Sequence, residues 1–155
     1  MRASELIGSK GIHYQAPNDL VWTFYGLLVV WTVVSVYFFL ARGINLGGGD
    51  LGFWGMVVFV VCYTWYWSLG IFQSAHLDRD GKLRLVSHRR TLVVEADQIP
   101  VIEGPYLPVG FIRLRLEREK GYLFCRAGDP DLSQLIHTIK KINPEVKFKH
   151  IGVRN

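Results

Sequence analysis

No Asp, Glu, Lys, Arg or His occurs from Leu20 to Ala41, nor from Leu51 to Ala75. At about 1.5 Å per helical residue, either stretch can cross the roughly 30 Å hydrocarbon interior of a bilayer. Proton and ion paths through membranes use intramembrane charges, so their absence argues against a pump or channel made by this chain alone. The five histidines, His13, His76, His88, His137 and His150, all lie outside both stretches, which argues against a haem or chlorophyll ligated on the spans.

Cysteine is also scarce. Cys62 lies within the second stretch and Cys125 far beyond it, so neither a disulfide nor a zinc site is expected. The chain has no H-E-x-x-H and no G-x-S-x-G, and Gly47-Gly48-Gly49 is not followed by the Lys-Ser/Thr of a phosphate loop. The carboxylate pairs Asp78/Asp80 and Asp129/Asp131 flank glycine or proline, where turn formation and helix capping account for them. We therefore expect no catalytic, cofactor-binding or metal-binding residues and no enzymatic activity. His13 and His76 fall near the same interface, where they either ligate something together or serve as ordinary polar residues.

What is present divides into three parts. Residues 1–19 form an N-terminal tail in which Arg2 and Lys10 balance Glu5 and Asp19. Residues 20–75 form a two-helix transmembrane hairpin with a glycine-rich loop over 42–50, short enough to make the helices antiparallel neighbours. Residues 76–155 form a small soluble domain. The net charge of +5 belongs to it, since fifteen basic residues face ten acidic ones after His76. Arg79, Lys82, Arg84, Arg89 and Arg90 closely follow the second span, whereas the loop has only Arg42. By the positive-inside rule both termini are cytoplasmic. The first span starts too late and runs too long for a signal peptide, so we expect it to be retained.

Polar content within the spans is limited to residues such as Thr23, Thr32, Ser35, Thr64 and Ser68, expected to bond back to their own helices. Gly52, Gly55, Ser68 and Gly70 are small enough to let helices approach, without a strict GxxxG. All five tryptophans, Trp22, Trp31, Trp54, Trp65 and Trp67, lie in these segments. Interfacial anchoring and helix packing explain most of them. Trp31, at mid-span, points instead to contact with other membrane subunits, or with the lipids or pigments of a host complex. Lys82, Arg84, Arg89 and Arg90 form a basic group suited to anionic lipid or a partner, and equally suited to setting topology. Basic and acidic residues alternate and no nucleic-acid motif is present, so nucleic acid is not an expected partner.

Beyond the spans the period changes. Lys82–Ser87 and Thr91–Ala96 read as strands joined by a turn at His88-Arg89-Arg90. Val101-Ile102 is a short strand. Phe111–Glu119 alternates Ile112, Leu114 and Leu116 with Arg113, Arg115 and Glu117, and Tyr122–Arg126 returns it as a hairpin. Asp129-Pro130 starts a helix whose Leu132, Leu135, Ile136, Ile139 and Ile142 share one face, and Asn143-Pro144 stops it. A basic tail follows.

On the stretches DGKLRLVSHRRTLVVEADQI, GFIRLRLEREKGYLFCRAG and DPDLSQLIHTIKKIN, the chain resembles the small PH-like domains that bacteria attach to membrane hairpins. The likeness covers about half the chain and only four or five strands. It implies an antiparallel sheet with one C-terminal helix, a full or truncated barrel, and a binding or scaffolding role without catalytic residues. The expectation is an accessory subunit of a larger complex in a bacterial cytoplasmic membrane, photosynthetic or respiratory. The alternative is a stand-alone assembly factor or sensor binding lipid or protein.

Overall fold

A computed structural model describes residues 11–41, 48–105, 107–116 and 119–150. It contains two apolar helices, α1 (Asn18–Ala41) and α2 (Gly48–Ser68), followed by a mixed-sheet domain with a C-terminal helix. Both are long and apolar enough to cross a membrane. The expected loop lies, over 42–47, outside the described residues, and Gly48 already belongs to α2.

The helices run antiparallel along a seam. On α1 the residues with reduced exposure include Tyr25, Leu28, Thr32, Ser35 and Phe39; on α2 they include Trp54, Val57, Val61, Thr64 and Ser68. Both sets step by three and four, the 3.5-residue repeat of left-handed helix pairs. Phe39 meets Trp54 edge-on with ring centroids 4.0 Å apart. Trp65 Nε1 donates to Thr32 Oγ1 at 2.9 Å, and the Tyr25 hydroxyl donates to the Ser68 carbonyl at 3.1 Å. Thr23, Thr32, Ser35 and Thr64 each donate to the carbonyl four residues earlier, as anticipated. Of the small residues, Ser68 is buried in the seam, but Gly52 and Gly55 do not bring the helices together. A Cβ on Gly52 or Gly55 would meet nothing, so the seam is not built on them.

The second apolar run is longer than its helix. α2 ends at Ser68, where Gly70 N–H bonds to the Trp67 carbonyl and Ile71 N–H to the Ser68 carbonyl, closing the last turn tightly. The rest of the run enters the sheet, and Ile71, Phe72 and Ala75 are apolar because protein buries them. A short buried strand and a stretch of buried helix share this composition, which is why the boundary expected at Ala75 falls at Ser68.

The sheet contains β1 (Ile12–Gln15), β2 (Phe72–Leu77), β3 (Lys82–Ser87), β4 (Thr91–Glu95), β5 (Val101–Glu103), β6 (Val109–Arg115), β7 (Lys120–Arg126) and β8 (Lys147–Lys149). The order is β4-β3-β2-β7-β6-β5-β8, with β1 also on β2. Two antiparallel meanders, β2–β3–β4 and β5–β6–β7, meet through a parallel pairing of Phe72 with Leu123. β7 takes only Phe72 on that edge of β2, and β1 pairs with the rest of it, from Ser74 to Leu77. β8 runs parallel to β5. The sheet is thus mixed, not antiparallel as expected, because β2 meets β7 in parallel and β8, in a segment read as a tail, runs parallel to β5. Asp78 and Gly81 shape the β2–β3 turn. Arg79 N–H bonds to Asp78 Oδ1 at 2.8 Å, and Gly81 takes a φ of 77° that favours glycine.

Helix α3 (Pro130–Ile142) covers one face. Asp129 caps it by accepting from the N–H groups of Asp131 and Leu132, and Pro130 fits the first turn. Leu132, Leu135, Ile136 and Ile139 pack on Ala75, Leu83, Leu85, Ile112, Leu114 and Leu123. At the far end, buried Asn143 Nδ2 donates to the carbonyls of Asp97 and Ile99, tying α3 to the 3₁₀ turn Ala96–Gln98. Strand alternation sends Tyr122, Phe124, Phe111 and Arg113 to the other face.

Candidate functional site

The face of the sheet opposite α3 carries the hairpin. Ala16, Ile71 and Phe124 form a second buried cluster, joined by Leu20, Val21, Phe24, Phe111 and Tyr122. Phe24, Phe111 and Phe124 make a mutual aromatic triad with centroids 5.0 to 5.8 Å apart. At the start of α1, Arg126 Nη2 pairs with Asp19 at 2.5 Å. At the end of α2, Trp67 lies against Tyr122 at 5.3 Å. Contacts at both helix ends fix the sheet to the hairpin at more than one point.

The β3–β4 turn closes this junction. Arg89 N–H donates to the Leu69 carbonyl at 3.1 Å, and its guanidinium lies over the Tyr66 ring, 3.9 Å from the centroid. His88 packs edge-on against Tyr25. Arg90 turns the other way, pairing with Glu119 and lying over Phe72. Lys82 and Arg84 are exposed further down β3, with Lys82 at the strand end away from the turn. The four basic residues expected to act together are therefore divided. Arg89 holds the junction, Arg90 pairs within the sheet domain, and Lys82 and Arg84 face outward from the sheet.

The tryptophans divide too. Trp65 and Trp54 lie in the seam, and Trp67 joins α2 to the sheet. Trp22 and Trp31 are exposed on α1, Trp22 at 77%. Cys62 is exposed on α2, whereas Cys125 is buried, and burial raises its thiol pKa to about 11. His13 and His76 do come together as cross-strand partners with ring centroids 5.9 Å apart. Among the described residues no group of three or more His, Cys, Asp or Glu is arranged to hold a metal ion.

One feature escaped the sequence reading. On the sheet face beside Trp67, register places Lys149, Glu103, Arg113 and Tyr122 in one row across β8, β5, β6 and β7. The row lines a groove of about 670 Å³ whose other walls include Trp67 and Phe111. Glu103 accepts from Arg113 Nη1 at 3.2 Å and from Arg115 Nη2 at 2.7 Å. Arg113 Nε is buried with no acceptor among the described residues. The alternation of Phe111, Arg113 and Arg115 was readable as a strand. The partners were not, because β8 lay in the supposed tail and its pairing is long-range.

The architecture is thus a helical hairpin clamped to the open face of a mixed sheet. Comparison with protein-family models, curated proteins and solved structures gives no match to this chain.

Proposed function

We propose that α1 and α2 span a bacterial cytoplasmic membrane and that the chain is a non-catalytic accessory subunit, scaffolding a larger integral membrane complex. The reading is supported above all by the junction. A sheet held at both helix ends by the Phe24–Phe111–Phe124 triad, the Asp19–Arg126 pair and the Trp67–Tyr122 contact keeps one orientation relative to the hairpin. A fixed orientation suits a part that positions neighbours. A flexible tether would suit a sensor that searches for ligands.

The hairpin supplies the surface for those neighbours. Trp22, Trp31, Tyr37, Phe38, Phe59 and Tyr63 are exposed along it. Such a surface suits lipid and the aromatic-rich flanks of other membrane subunits, and an energy-transducing complex is the host class we assign. Both termini and the sheet are cytoplasmic in this reading, and the sheet with α3 is a PH-like binding module. Extraction from native membranes in mild detergent tests it. Integral membrane proteins should co-purify in constant ratio and survive washing with alkaline carbonate together with this chain. Recovery of an isolated monomer in every mild detergent overturns the scaffold role.

The groove beside Trp67 favours a second reading. In it the chain acts alone as a membrane-anchored assembly factor that binds lipid or protein through its sheet. Intact complexes in cells lacking the chain, with loss of a transient assembly intermediate, would select this reading.

A further inference from the structure

We propose that the groove on the outer sheet face is a binding site for one anionic phospholipid drawn from the leaflet at the α2 terminus. The inference depends on the reading that α1 and α2 cross a membrane. If they do, the end of α2 at Ser68 marks the headgroup level, and Trp67 is the last aromatic side chain before it. The groove opens beside that residue.

Its chemistry is graded. Near the hairpin the walls are aromatic, from Trp67, Tyr122 and Phe111. Farther across the sheet Arg113 and Lys149 flank Glu103. Glu103 is already engaged by Arg113 and Arg115, so its charge is met within the protein. Arg113 retains a buried Nε–H without an acceptor among the described residues. That atom is closed off from the groove, but the Arg113 side chain is 30% exposed, and its guanidinium can offer a phosphodiester oxygen a charge-assisted hydrogen bond beside its contact with Glu103. Lys149 is exposed on the edge strand β8 and adds a second positive charge.

The rim fits the same occupant. Leu107 and Val109 are exposed apolar residues on the segment that enters β6. Val109 pairs with Arg126, which is bonded to Asp19 at the start of α1. The rim therefore lies at the level of both helix ends, where apolar side chains meet acyl chains. A ligand with anionic oxygens at one end and hydrocarbon at the other fits this gradient. A soluble anion would leave the aromatic walls and the rim unused.

Native mass spectrometry of the full chain, released from nanodiscs containing equal phosphatidylglycerol and phosphatidylcholine, tests the site. The wild type should retain one phosphatidylglycerol at least fivefold over phosphatidylcholine. Arg113→Gln with Lys149→Gln should abolish the preference, and Lys82→Gln with Arg84→Gln should keep it. Lys149→Glu alone, on an exposed edge, should lower the preference by at least threefold and guards against misfolding of the double variant. Inorganic phosphate at millimolar concentration should not displace the lipid. Equal retention of both lipids, an unchanged preference in both groove variants, or full displacement by phosphate overturns the proposal. Resistance to alkaline carbonate, measured in parallel, reports on membrane insertion independently of the groove.

Discussion

In the sheet domain Leu85, Phe72 and Leu123 are buried, while Lys82, Arg84 and Arg115 are exposed. In the hairpin Leu27, Val30 and Phe38 are exposed, while Thr32, Ser35 and Ser68 lie along the seam. The two regions are inverted with respect to each other. Water drives the first arrangement, since apolar burial against α3 is favourable by about 25 cal/mol per Å². Water cannot drive the second, because the hairpin leaves its apolar surface outside. Its helices meet through hydrogen bonds and close packing along the seam. The contrast shows why both halves have high apolar content and yet hold together differently.

The sharpest way to break this contrast is a matched pair of truncations. Leu85→Ala in the sheet core should cost about 2–5 kcal/mol, from lost transfer energy and a residual cavity. Leu27→Ala on the outer surface of α1 should change stability by less than about 0.5 kcal/mol. Denaturant titration in detergent micelles, followed by the sheet's circular dichroism, measures both. Equal costs would mean that the hairpin exterior is packed like a core.

Alkaline pH separates the regions next. Burial raises the Cys125 pKa to about 11, and burial with the nearby Asp129 carboxylate raises that of Tyr14 above the usual phenol range. Both groups are neutral when protonated, so the folded state favours their protonated forms. Their contribution is fully present below the unfolded-state values. It is lost as pH rises, first for Cys125 between its usual thiol value and about 11, then for Tyr14 at higher pH. The sheet should therefore melt at lower temperature above about pH 9, and Cys125→Ala should flatten the first part of that fall. A thermal midpoint independent of pH up to 11 would contradict the burial of Cys125.

The seam gives a smaller effect. Trp65→Phe removes the donor to Thr32 Oγ1, whose own hydroxyl still bonds to the Leu28 carbonyl. A loss of about 0.6–2 kcal/mol is expected, the range of interhelical hydrogen bonds in membranes. Förster transfer between labels on α1 and α2, followed through detergent titration, reads it. Phe59→Leu, on the exposed side of α2, is the control and should show no loss.

This inversion also governs what could be read from the residues alone. The two long apolar helices were legible because uncharged runs of twenty or more residues exceed the length of any ordinary strand. α3 was legible because Asp129, Pro130 and its apolar stripe agree at three levels. The seam was hidden, since Thr32, Ser35 and Ser68 repeat at helical spacing but are few among uniformly apolar neighbours. β1 was passed over although Ile12, His13, Tyr14 and Gln15 alternate, because four residues rarely outweigh a tail-like setting. The join of β2 to β7 at Phe72 and Leu123, and the groove row from Lys149 to Tyr122, depend on contacts distant in sequence that no local pattern encodes.

The smallest expected effect tests where the two regions touch. The Arg89 guanidinium lies over Tyr66, and the Arg89 N–H bonds to the Leu69 carbonyl. Arg89→Ala keeps the backbone bond and removes the guanidinium from Tyr66 and from beside Gly70, the ring contact being worth about 0.5–1 kcal/mol at an exposed site. Arg89→Lys should retain part of it, as an ammonium is a weaker stacking partner than a planar guanidinium. Because this contact spans hairpin and sheet, the loss should appear as earlier separation of the two parts. Limited proteolysis between Leu69 and Ile71 should then accelerate by about two- to fivefold, following the shift in the opening equilibrium, with the melting of the isolated core unchanged. Acceleration in the sheet but not at the linker would place the energetic role of Arg89 within the β3–β4 turn itself.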